Sequence, residues 1–242
     1  MAEQQKARHE IEKHTFYKYA AFFSRNKWRL VAAVSLVLGV LIVIGAVQTV
    51  RKKNEASAFE AHLRAETPKE YRNIHREFPR TFYGCLSLIE AGNLFYEEGK
   101  FSEARKLYLQ FLDTRPESRL RPWVHNLIGA TLEAQRKYDR AIRYYRKAEA
   151  SPWLKLQAKL NIGRCYELKA DSEKDPQVAL EQYDIARTYY RQLTETSRSS
   201  PGSPPTFTAW RRQAQERMNF LTEKEKSAKQ RQSEKKVDTT NP

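Results

Sequence analysis

Residues 90–104, EAGNLFYEEGKFSEA, set a glycine, Gly92, inside an apolar run of helical period and a second, Gly99, before another such run. A small residue in mid-helix lets a second helix approach closely. Phe95, and Tyr108 further on, are placed to fill the space between two such helices, and Gly99 with Lys100 to make the turn between them. The stretch therefore predicts a helical hairpin.

Extended to residues 85–118, the same reading supplies Leu88, Ala91, Gly92, Phe95, Ala104, Tyr108 and Pro116 at the marker positions of the tetratricopeptide (TPR) template, W-x2-L-G-x2-Y, A-x3-F and P, lacking only its first Trp. Pro116 is expected to end the second helix, because its ring cannot continue the hydrogen-bond ladder. The pattern recurs with Ile128, Gly129, Leu132, Tyr138, Ala141, Tyr145 and Ala148, Ala104 and Ala141 lying 37 residues apart. A third copy has Ile162, Gly163 and Tyr166, then Tyr183, Ala186, Tyr190 and Leu193, with LKADSEKDPQV lengthening its turn or its helices. Upstream, Tyr71, Ile74 and Pro79 repeat the spacing of Tyr108, Phe111 and Pro116, which makes residues 51–84 a degenerate first hairpin and residues 85–196 the main repeats.

Beyond them, the Ser- and Pro-rich stretch 197–206 reads as a flexible loop, and 207–221 as a capping helix in which Trp210, Ala214, Met218 and Leu221 cover the open end of the stack. Residues 222–242, charged and without aromatics, read as a disordered tail. The expected fold class is all-α, with an N-terminal transmembrane helix, about three and a half TPR hairpins and the cap.

The membrane expectation rests on Leu30–Val47, 18 residues without a charge, bracketed by RNKWR and by RKK at 51–53. Extended through Gln48, Thr49 and Val50, the segment 30–50 is long enough to cross a hydrocarbon core of ~30 Å. A cleaved signal peptide would have a shorter apolar core and a small-residue cleavage site soon after it. Trp28 and the flanking cations suit the headgroup level. Near the span, five cations precede it and four follow it, so charge alone orients it weakly, and the basic tail 1–29 is expected inside because long C-terminal domains translocate largely regardless of charge.

The chain has 242 residues and a formal net charge of +15. The excess is spread thinly, +4 over residues 1–29, +3 over 51–84, +6 over 85–221 and +2 over 222–242. A nucleic-acid binder would concentrate its cations on one element among stacking aromatics, so nucleic acid is not an expected partner. Two cysteines, Cys85 and Cys165, make no disulfide framework and fall at apolar helix positions.

AFFSRNKWRL followed by the span, then TFYGCLSLIEAGNLFYEEGKFSEA and SPWLKLQAKLNIGRCYELKAD, resembles the bacterial YfgM-like family, single-span TPR proteins ancillary to the SecYEG translocon. The similarity covers roughly residues 16–170. It implies a single-pass protein of the bacterial inner membrane with its N-terminus in the cytoplasm and its repeats in the periplasm, in contact with the translocon and periplasmic chaperones. The long insertion in the third repeat and the basic C-terminal tail depart from that family's pattern.

The five histidines are scattered, and the sequence has no H-E-x-x-H, no cysteine pair at ligand spacing, no G-x-S-x-G and no phosphate loop. The expectation is a protein that is not an enzyme, without cofactor, metal or small-molecule substrate. Binding is instead expected in the concave groove lined by the first helix of each pair. By the template these positions are Leu86, Ile89, Asn93 and Tyr96; Trp123, Asn126, Ala130 and Glu133; Gln157, Leu160, Arg164 and Glu167. From them Asn93, Tyr96, Trp123, Asn126, Gln157 and Arg164 form the candidate partner-binding set: amides to clamp a peptide backbone, aromatics for contact area and a guanidinium for a carboxylate.

The functional expectation is a membrane-anchored protein-interaction module in a translocon or chaperone network. The alternatives are a structural assembly factor of a cell-envelope complex and an anchored TPR adaptor facing the cytosol.

Overall fold

A computed structural model describes residues 2–115, 117–196 and 205–240. The described residues are helical throughout, with no strand: α1 (Ala2–Arg64), α2 (Pro68–Glu77), α3 (Phe82–Glu97), α4 (Phe101–Thr114), α5 (Arg121–Ala134), α6 (Tyr138–Glu149), α7 (Lys155–Asp171), α8 (Pro176–Thr196) and α9 (Pro205–Thr240). The chain divides into two compact units, Met1–Ser57 and Ala58–Pro242.

The first unit is the greater part of α1. Within Arg25–Arg64 lies an 18-residue window of mean hydropathy 3.0, none of it buried, so this helix is long and apolar enough to cross a membrane. Lys27 Nζ lies 6.0 Å from the ring centroid of Trp28.

The second unit is the repeat stack. It begins with the last turns of α1, where Ala58 is buried, Phe59 packs on Tyr83 at 4.7 Å, and His62 Nδ1 meets Ser87 Oγ of α3 at 2.9 Å. A capping box then starts α2: the Thr67 hydroxyl accepts from the Glu70 amide, and the Glu70 carboxylate accepts from the Thr67 amide. From α2 onward each helix packs on its neighbours in sequence, and α9 also reaches α7.

One interlock repeats inside the three pairs α3–α4, α5–α6 and α7–α8. A Cβ placed on Gly92, Gly129 or Gly163 would lie 2.4, 2.5 or 2.6 Å from Cε1 of Tyr108, Tyr145 or Tyr190 respectively. Each tyrosine ring, fully buried, therefore occupies the volume that a side chain on the facing helix would need. Around these contacts Leu88, Ala104, Phe111, Ile128, Leu132, Ala141 and Ile162 form one buried cluster, and Leu160, Ala186, Leu193, Ala214, Leu221 and Ala228 belong to a second.

The extra residues of the third pair lengthen both helices, to 17 residues in α7 and 21 in α8, and leave a short link closed by the Tyr183 hydroxyl donating to Asp171 Oδ1 at 2.7 Å. The expected end of α4 at Pro116 and residues 197–204 of the expected loop 197–206 lie outside the described residues, while the last two residues of that loop already begin α9.

Residues 222–240, expected to be disordered, instead continue α9. The segment is rich in Lys, Glu and Gln, which favour helix, and Ala228 is buried against the stack. Its charges are also paired: Lys224 with Glu167 and Asp171, and Glu225 with Arg187. The cap is thus longer than the expected 207–221, although Ala214 and Leu221 are buried and Trp210 and Met218 pack beside them as expected.

Candidate functional site

The first helices of the three pairs, α3, α5 and α7, carry the residues expected to line a groove. Several of them are occupied by the stack itself. Ile89 and Leu160 are buried core residues. Asn126 accepts a hydrogen bond at 2.9 Å from the Asn161 amide, a buried bridge from α5 to α7. Arg164 spans the same gap with two bonds to one carboxylate, Nε to Glu133 Oε1 at 2.5 Å and Nη2 to Glu133 Oε2 at 2.9 Å. Arg164 and Asn126, expected to clamp a partner, are thus each already bonded within the fold.

Glu133 is a junction. Besides Arg164 it accepts the Tyr145 hydroxyl at 2.7 Å and lies 3.6 Å from the Cys165 thiol. Burial raises the pKa of that hydroxyl and of that thiol, and the adjacent Glu133 charge raises both further. Burial alone would weaken the Arg164 charge, yet its hydrogen bonds and proximity to Glu133 raise its pKa.

Glu167, one helical pair later, is 1% exposed and repeats the arrangement, accepting Tyr190 at 2.9 Å from its own pair and Lys224 at 3.0 Å and Arg217 at 3.3 Å from α9. The cap thus supplies cations where the next repeat's first helix would supply an arginine. In the first pair no carboxylate stands at the matching place, where Tyr96 sits; the Tyr108 hydroxyl donates instead to Asn93 Oδ1 at 2.8 Å.

What remains on the surface is smaller than expected. Tyr96 is 37% exposed, edge to face with Phe101 at 5.2 Å. Asn93, Trp123 and Gln157 are half-buried, Asn93 bound to Glu90 and Tyr108, and Trp123 packed against the core. The roles of Glu133 and Glu167 as junctions were not legible from the template, which marks their positions as ligand-facing. A signal did exist, since both stand four residues after the repeat glycine and Arg164 stands one residue after it.

Among the described residues no three His, Cys, Asp or Glu side chains are grouped to hold a metal ion. Cys85 and Cys165 are buried free thiols.

Repeated glycine–tyrosine interlocks and helix-to-helix bridges define a TPR solenoid, a class of protein-binding module that is typically not enzymatic. Consistently, the tetratricopeptide-repeat family profile matches residues 89–152. The chain is also similar to a solved structure, the crystal structure of MamA, at 14% identity and a TM-score of 0.39, over 67% of this chain and 89% of that one. No curated protein matches the chain.

Proposed function

We propose that this protein is a membrane-anchored TPR module that holds protein partners at a bacterial inner membrane, as an ancillary subunit of a translocon or periplasmic chaperone network. The observation that carries the anchoring is the apolar window of α1, mean hydropathy 3.0, with every described side chain from Val31 to Val50 exposed. Left in water, that surface would be a large hydrophobic liability; in a bilayer it is matched to its solvent. In this reading residues 1–29 are cytoplasmic, 30–50 span the bilayer and the repeats lie in the periplasm, an orientation supported by the YfgM-like resemblance.

The partner surface takes in Tyr96, Gln157 and the accessible part of Trp123, whose remaining surface packs on the core. Protease added to spheroplasts should digest the repeats while the N-terminal tail survives; protection of the repeats until the membrane is lysed would reverse the orientation. Replacing Tyr96 and Gln157 together by Ala should keep helicity and membrane insertion and weaken capture of crosslinked partners by about 2 kcal/mol for each true hot spot. Full capture by that double variant, with loss on altering the span, would move docking to the membrane helix.

A further inference from the structure

A cleft of about 780 Å³ opens at the stack edge between the link into α5 and the link into α7. Its walls include Arg119, Arg121, His125 and Lys147, with Trp153 and Glu117 beside them. Three features set it apart from an ordinary basic surface. First, none of the three long cations makes an ion pair among the described residues; Lys147 Nζ instead rests 5.0 Å from the ring centroid of Tyr144. Second, His125 is 8% exposed and its Nδ1 has no hydrogen-bond partner among the described residues. Buried polar groups are nearly always bonded, so the orphaned ring nitrogen of a residue that lines the cleft points to a missing partner. Third, α5, 14 residues long, starts here without a side-chain cap; the Arg121 N–H is bonded to Ser118 O and Pro122 has no N–H, so its first turn contributes the positive end of the dipole rather than a set of free donors.

We propose that this cleft recognises a carboxylate presented by an acidic protein segment. Arg121 and Lys147 supply the charge. His125, neutral with its proton on Nδ1, donates one directional hydrogen bond. Its pKa is lowered to about 4, first by burial and then by Lys147 and Arg121, so the ring already lies in a positive local field. The same field favours an incoming anion.

A carboxylate suits the site better than a phosphate, because the Glu117 carboxylate on the rim repels a dianion more than a monoanion. The cleft is open rather than a dead end, and Trp153, 62% exposed, offers apolar area to residues flanking the acid. An internal acidic side chain can therefore enter while its chain passes through. The inference builds on the protein-binding reading but needs neither the groove residues nor the membrane orientation.

The test uses the full chain in mild detergent at physiological ionic strength, titrated calorimetrically with an oligoglutamate peptide capped at both ends. Saturable binding is expected. Arg121→Gln with Lys147→Gln should weaken it about tenfold or more, whereas Arg211→Gln with Arg212→Gln, an equal charge loss on exposed α9 positions, should change it less than about twofold. His125→Leu should weaken it too, at unchanged helicity.

Equal weakening by the two double variants would reduce the effect to net charge and overturn the proposal. So would absence of saturable binding, displacement of the peptide by inorganic phosphate at equal concentration, or binding only to a peptide with a free C-terminal carboxylate. Unchanged peptide affinity in the Tyr96/Gln157 double variant would separate this cleft from the groove. Loss of peptide binding in that variant would place the acid in the groove and sink the proposal.

Discussion

The first full pair, α3–α4, and the two that follow use the same glycine–tyrosine interlock but end it differently. Tyr108 donates to a neutral amide on its own first helix, whereas Tyr145 and Tyr190 donate to carboxylates that also receive cations from the next element. The first interlock thus ends within its own pair. The later pairs are chained forward, α5 to α7 through Glu133 and α7 to α9 through Glu167. A solenoid needs both local closure and coupling between neighbours, and in the two later pairs a single carboxylate does both.

Glu167→Ala should give the largest effect. It strips the partner from Arg217 and Lys224 and leaves the Tyr190 hydroxyl unsatisfied, at about 3 kcal/mol, the low end for a broken buried pair because both cations retain some solvent. Glu133→Ala should cost less, about 2 kcal/mol, since Arg164 is partly exposed and can rehydrate. Denaturant titrations of the two variants should show this order; the reverse order would mean that the cap is not coupled through Glu167.

The second pair differs again in holding His125 where the first has Leu88, both four residues before the glycine. With its folded pKa lowered to about 4 from 6.5, the unfolded chain binds the proton more readily. His125 should therefore cost no stability above pH ~6.5 and progressively more as pH falls towards 4, by up to about 3 kcal/mol. Burial lowers His62 and His75 in the same direction. Melting curves of wild type and His125→Leu should diverge at low pH, and parallel curves would contradict the assignment.

Gly129→Ala sharpens the comparison from the side that all three pairs share. A methyl group would meet the fully buried Tyr145 ring at 2.5 Å, and overpacking of this kind costs about 1–3 kcal/mol. Gly92→Ala and Gly163→Ala should behave alike by thermal denaturation; one silent position would show that its tyrosine can withdraw. The hydroxyls should not behave alike. Tyr145→Phe removes a bond to a charged acceptor, about 1.5–3 kcal/mol, and Tyr108→Phe one to a neutral acceptor, about 1 kcal/mol.

The smallest effect concerns the turns. Gly99 and Arg136 occupy the same place in the first two pairs, both with positive φ, +74° and 58°. Both turns close through the same backbone bonds, as in Lys100 N–H to Phe95 O and Lys137 N–H to Leu132 O, each 2.8 Å. Arg136→Gly should relieve the left-handed conformation and stabilise the fold by about 1 kcal/mol, less the greater chain entropy of glycine. A drop in melting temperature would show that the Arg136 side chain contributes more than its backbone costs.

The sequence by itself determined the helical hairpins, because small residues, aromatics and a turn at fixed spacing are local requirements of packing two adjacent helices. It also determined the uncharged run, whose length needs no tertiary partner to be read. Tertiary structure alone decided which polar residues are free. Arg164 and Asn126 stand at positions that the repeat pattern leaves open, and only the approach of α5 to α7 commits them, since a hydrogen bond between residues more than thirty apart leaves no trace in local periodicity. The same reason explains α9 beyond Leu221. Lys224, Glu225 and Ala228 look like a solvated tail along the chain, and become part of the fold because α7 and α8 bring Glu167, Asp171 and Arg187 to meet them.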